Sequence, residues 1–316
     1  MIGRFFFRRL IPLILPPVLL ISAAACSSTD PGPPPDPELA TMTASARKAY
    51  SRGRFEGAAR FYSRALERAR EMDAAERIGT AAYNLAVCRY LLKEYDEVEP
   101  LLEESKAAYE EGGAVPADLI LLEARLALQL GDLDRARSLA DVGAALEDET
   151  DRIGFLILRG RIALTGGDDS TAREYLQQAR DSADDEAPPL LVADLAGLEG
   201  GIREAEEDFT GAGRAYDRQA EAFRAAGRYR QMALALGSAG EAYGRAADHR
   251  RAADRFFRSA RSLFAGGDAV GALKMLEPAL DEAGASDDEY LRKRTVELFE
   301  EIKEGVEARG EDGNVQ

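Results

Sequence analysis

The 316-residue chain has no tryptophan, one histidine and two cysteines. The scarcity of histidine works against nucleophilic catalysis, which needs a base beside the nucleophile. His249, flanked by Asp248, Arg250 and Arg251, reads as a solvated turn residue. Once Cys26 is set aside for the modification argued below, Cys88 has no partner for an intrachain disulfide. Cys88 falls on a buried helical position and reads as a packed, unreactive thiol. No His/Cys cluster has metal-ligand spacing and no acidic run has calcium-loop spacing, so neither a metal nor another cofactor is expected. The stretch GGDAVGALK at 266–274 lacks a lysine directly after its second glycine, and no strand precedes it, which excludes a phosphate loop. Basic residues are in deficit as well, with 41 Lys+Arg against 57 Asp+Glu. Such a surface repels phosphate backbones, so nucleic acid is excluded as a partner.

Proline is concentrated near the start. Residues 1–9 carry Arg4, Arg8, Arg9 and no acid, Leu10–Ile21 are apolar, and Ser22-Ala23-Ala24-Ala25 precede Cys26. That is the order of a signal peptide, with an apolar run too short for an ordinary membrane span. Small residues directly before a cysteine resemble the lipobox of bacterial lipoproteins, although Ala23 stands where that motif usually has leucine. The resemblance implies cleavage after Ala25 and acylation of Cys26, hence anchoring to a membrane of a Gram-negative-type envelope. A plain secretory signal with an incidental cysteine is the alternative. Ser27 after the cysteine, by analogy with enterobacterial sorting, favours the outer membrane, facing the periplasm. Residues 26–38 include five prolines between Pro31 and Pro37 and read as a polyproline spacer. Losing residues 1–25 removes three arginines and no acid, which moves the formal charge from −16 to about −19.

The remainder repeats. Helix starts like FEGAA recur when aligned on Ala58, Val98, Ala136, Ala172, Ala212, Ala252 and Ala272, with gaps of 40, 38, 36, 40, 40 and 20. Twelve places before the first six lie Ala46, Ala86, Ala124, Gly160, Gly200 and Gly240, all small. Four places after the start, most units carry a large apolar residue such as Tyr62, Leu102 or Phe256. Three further on come small residues, with Gln219 the exception.

This pattern resembles the tetratricopeptide repeat, a helix-turn-helix hairpin, over about residues 39–284. The resemblance implies an all-α, right-handed superhelical α-solenoid of six to seven hairpins. Small residues let helices A and B approach to about 8–10 Å, and the larger ones fill the space between neighbouring pairs. The closing proline and the helix A tryptophan of the family are missing. The gap of 20 implies that helix 249–265 is shared by two units. Ser286 with Glu289 forms a capping-box pattern ahead of a last helix, apolar at 290, 291, 298, 302 and 306. That helix caps a domain of residues 39–309, and residues 310–316 should fray.

The family's ligands lie against helix A. The place after the small residue holds Arg47, Arg125 and Arg161, and Tyr50, Tyr83 and Tyr90 fall on inner-facing positions nearby. Asn84 matches an asparagine that often bonds a ligand backbone in this family. Arginine binds carboxylates in paired hydrogen bonds and tyrosine offers flat contact area, so the groove is expected to hold an acidic protein or peptide segment. The alternative is that the arginines pair with glutamates of neighbouring helices. The leading expectation is thus a periplasmic, lipid-anchored scaffold without enzymatic activity, serving outer-membrane, pilus or secretion assembly. A regulatory adaptor of a cell-wall enzyme is the second reading. A cryptic enzyme, which the single histidine opposes, is the third. Exposed end helices also allow a homo-oligomer.

Overall fold

A computed structural model describes residues 36–144, 149–184 and 186–312. The signal segment, Cys26 and most of the proline spacer lie outside the described residues. Among those described there are fourteen α-helices and no strand. They run α1 Pro37–Ser51, α2 Phe55–Glu71, α3 Ala75–Leu91, α4 Val98–Gly112, α5 Ala117–Gln129, α6 Leu133–Ala144 and α7 Glu149–Thr165. Then come α8 Asp169–Asp181, α9 Pro189–Ala205, α10 Phe209–Ala225, α11 Tyr229–Arg245, α12 His249–Ala265, α13 Ala269–Ala285 and α14 Glu289–Asp312. A 3-10 turn, Tyr95–Glu97, precedes α4. Consecutive helices pack side by side as antiparallel hairpins, the α-solenoid implied by the repeat.

The spacing of the repeats has a simple origin. Helices α9 to α14 begin at 189, 209, 229, 249, 269 and 289, so each 17-residue helix and its three-residue turn form a 20-residue step. Two steps make the 40-residue gap, and one step makes the gap of 20. Helix α12 packs on both α11 and α13. The gaps of 38 and 36 fall where α5, α6 and α8 shorten to 13, 12 and 13 residues.

The seam between helices follows the small residues. Ala46, Ala86 and Ala124 are fully buried, as are Ala58, Val98, Ala136, Ala172, Ala212, Ala252 and Ala272 opposite them. A Cβ on Gly160 would lie 2.6 Å from Leu198, and one on Gly240 would lie 2.9 Å from the Phe256 ring. Glycine is required there by close approach. Gln219 breaks the small-residue rule, and Gly197 compensates: any side chain at 197 would overlap the Gln219 amide. In two other units the same place holds a buried serine, and Ser105 and Ser259 donate to the carbonyls of Gly79 and Ala233 at 2.8 and 2.6 Å.

The turns share a backbone device. Gly53, Lys93, Gly131, Gly167, Glu207, Ala247 and Gly267 have positive φ, and each stands five places before an aligned helix B residue. Aspartate follows in the last five, and its carboxylate caps the next helix. Asp132, Asp168, Asp208, Asp248 and Asp268 accept from backbone N–H groups three residues on at 2.8–3.1 Å.

Three expectations need correction. His249 is the first residue of α12, and its Nδ1 lies 2.7 Å from Glu282 Oε2 of α13, so it bridges two helices instead of sitting free in a turn. The α14 cap is Asp288, which accepts from Leu291 N at 3.0 Å, while Ser286 Oγ lies 3.4 Å from Asp288 N and Glu289 is bonded to Arg292. The buried stripe of α14 contains Leu291, Thr295 and Ile302, whereas Tyr290 is 71% exposed. Helix α14 runs to Asp312. Cys88 is a buried free thiol, and burial pushes its pKa up to about 12. No helix among the described residues is long and apolar enough to cross a membrane.

Candidate partner-binding groove

The odd-numbered helices α1, α3, α5, α7 and α9 carry the residues expected to face inward. Helical spacing puts Tyr83 and Tyr90 on one face of α3, two turns apart. Both are half-buried, packed beside the Leu119–Leu122–Leu126 face of α5. Tyr90 tilts against Tyr95 with ring centroids 5.6 Å apart. Tyr50 closes α1 and stacks at a tilt on Phe55, the first residue of α2.

Arg125 of α5 and Arg161 of α7 converge on one carboxylate. Arg161 Nη2 donates to Asp194 Oδ1 at 2.9 Å, and Arg125 Nη2 reaches Asp194 Oδ2 at 3.4 Å. Asp194 lies on α9, so a side chain from α5 spans α7 to reach the helix beyond. The inner wall is therefore strongly curved. One aspartate lets two guanidinium groups sit together and leaves one net positive charge. Their side chains remain about a third exposed, at 31% and 34%, so their other N–H donors can meet solvent or a ligand.

The tyrosines belong to the same electrostatic neighbourhood. Burial raises the pKa of Tyr50, Tyr83 and Tyr90, and the positive charge of Arg125 acts against the rise at all three. Asp118 adds to the rise at Tyr83, and Asp194 to that at Tyr90. The phenols stay protonated at neutral pH and can donate.

Two expected residues stand apart. Arg47 is exposed, and its positive charge opposes the rise that burial causes in the Tyr62 pKa. Asn84 donates one N–H of its amide to Thr80 O of its own helix at 2.7 Å, and its other N–H and Oδ1 stay open to a ligand. Farther along, the wall turns acidic. Tyr216 donates to Glu204 at 2.9 Å, and burial together with the Glu204 charge raises the pKa of Glu241.

Sequence reasoning missed Asp194 and Arg228. Asp194 had a usable signal, since it sits six places before Gly200, in the register that puts Asp118 before Ala124. Arg228, in the turn between α10 and α11, had none. Its Nη1 donates to Tyr50 O at 2.5 Å and its guanidinium lies 4.3 Å from the Tyr50 ring centre. The solenoid thus curls until its sixth hairpin touches its first.

No protein-family model matches the chain, and no curated protein matches it. Among solved structures it is similar to a Rap protein complexed with Competence and Sporulation Factor, at 11% identity over 87% of this chain and 99% of that one, with a TM-score of 0.51. It is also similar to BtubC (BKLC) from P. vanneervenii, at 17% identity over 74% and 92% of the two chains and a TM-score of 0.49. A tetratricopeptide repeat protein from Parabacteroides merdae shares 12% identity over 83% and 98%, with a TM-score of 0.42. At such identities the likeness is one of fold.

Proposed function

We propose that this tetratricopeptide-type solenoid is a non-enzymatic scaffold, held to the periplasmic side of an outer membrane by acylated Cys26, whose inner groove binds a protein segment. The observation that carries the groove is the convergence of Arg125 and Arg161 on Asp194, with Tyr50, Tyr83 and Tyr90 all within reach of the Arg125 charge. Three phenols on a curved wall supply rigid contact area, and two guanidinium groups sharing one carboxylate keep donors for a second. An acidic residue of the partner would join that cluster and restore charge balance. The anchor rests on the order of residues 4 to 26 alone.

The groove is tested in cells with a photoreactive residue in place of Tyr83 or Tyr90, and with one on the exposed outer position Arg64. Cross-links confined to the groove positions, and weakened at least about tenfold by Arg125→Ala with Arg161→Ala, support the reading. Undiminished capture by the double variant removes it. The captured protein separates the settings. Barrel, pilus or secretion components favour an assembly scaffold, and a cell-wall hydrolase favours a regulatory adaptor. Incorporation of a labelled fatty acid, lost in Cys26→Ser, tests the anchor.

A further inference from the structure

We propose that a second surface, the cleft between α12 and α14, binds an acidic peptide segment of a partner protein. This cleft shares no residue with the groove around Asp194. Its volume is about 720 Å³. Six arginines line it, Arg250, Arg251, Arg255, Arg258 and Arg261 from α12 and Arg294 from α14, against three aspartates. A local excess of positive charge in a chain of formal charge −16 calls for a structural reason.

Internal pairing accounts for four of the six. Arg250 binds Asp288, Arg251 binds Asp248, Arg255 binds Asp217 and Asp254, and Arg258 lies 3.6 Å from Asp254. Arg261 and Arg294 have no carboxylate partner among the described residues. Both lie over the same ring, 5.8 and 4.9 Å from the centre of Phe257, and Arg294 is also 5.6 Å from the centre of Tyr290. A guanidinium stacked on an aromatic face keeps its N–H edge free for a planar carboxylate. Tyr290 stands exposed at the rim and adds apolar contact area beside those edges. The fitting occupant is therefore a segment with two carboxylates flanking an apolar side chain. A bare anion would use the arginines and leave Tyr290 without a role.

The test is fluorescence anisotropy with the detergent-solubilised full chain and a fluorescein-labelled Glu-rich decapeptide holding one central Phe. Binding should weaken as salt rises, because exposed charges are screened. In a chain already carrying Arg125→Ala and Arg161→Ala, so that the groove no longer competes for the peptide, Arg261→Ala with Arg294→Ala should raise Kd at least about tenfold, while Arg60→Ala with Arg64→Ala at exposed places of α2 should leave it unchanged. Lysine at 261 and 294 should restore only part of the affinity, since the stacked fork is lost. Absence of peptide binding, or equal binding by the Arg261/Arg294 variant, overturns the proposal. So does equal competition by inorganic phosphate, which would mean a small-anion site, or a concentration-dependent dimer abolished by the same variant, which would mean a second copy of the chain. If only the Arg125/Arg161 variant loses the peptide, the cleft proposal fails and the groove stands.

Discussion

Replacing Gly240 with alanine sets two effects of opposite sign against each other. Gly240 is an interior residue of α11, and alanine there gains about 1 kcal/mol of helix propensity. The added Cβ would sit 2.9 Å from Cδ1 and Cγ of Phe256, whose ring is only 4% exposed and has no room to swing away. Overpacking of this kind costs about 1–3 kcal/mol, so Gly240→Ala should lose up to ~2 kcal/mol. Gly305 in α14 has nothing within 4 Å of the point a Cβ would occupy, and Gly305→Ala should gain up to ~1 kcal/mol. The difference between the two variants removes the propensity contribution and isolates the contact. Circular dichroism melts should separate them by about 2–4 °C for each kcal/mol. In a Phe256→Leu background the cost at 240 should shrink, so the double variant loses less than the sum of the two single variants. If Gly240→Ala raises the midpoint as much as Gly305→Ala does, a side chain fits at the helix crossing and the close-approach argument is wrong.

Ala247 holds φ 56 at a turn where four sister positions are glycine, and Ala247→Gly should stabilise by about 0.5–1 kcal/mol in urea titrations. A loss of stability there would show that the turn is not strained. Hydrogen bonds from the Thr171 side chain and backbone, and then from Ser170, hold the Asp168 carboxyl below the usual aspartate range. Its contribution is present above the ordinary aspartate pKa and disappears as pH falls through the lowered folded value. Asp168→Asn should therefore flatten the acid limb of stability measured from pH 5 down to pH 2, and an unchanged limb would refute the link. With its pKa pushed up to about 12, Cys88 stays a thiol at pH 8, so a thiol reagent should label it only at the rate of unfolding. Immediate labelling of the native chain would contradict the burial.

What could be read from the residues is what depends on helix geometry within a pair. Ala46 and Ala58 mark a crossing because small side chains at that offset allow nothing else, and both are fully buried. The same reasoning located Cys88. Side-chain pairings across units were harder, because they depend on how far each hairpin rotates against the next. His249 finds Glu282 in this way, and Arg125 finds Asp194 two hairpins on. The expected glutamate partners of Arg125 and Arg161 are replaced by a single aspartate for that reason. Asn84 shows the same local bias, since one of its amide N–H groups bonds its own helix. The Gly-Asp turns were visible as letters, but their capping role needs the positive φ that precedes the aspartate.

Stacked repeats ordinarily carry load from neighbour to neighbour, and every interface shares it. The bond from Arg228 to Tyr50 O spans 178 residues, so it short-circuits that series. A pull on the two ends of the solenoid would meet this clasp before the intervening interfaces stretch. A segment threaded along the inner wall would likewise be encircled, and could leave only by sliding out lengthwise or by forcing the clasp open.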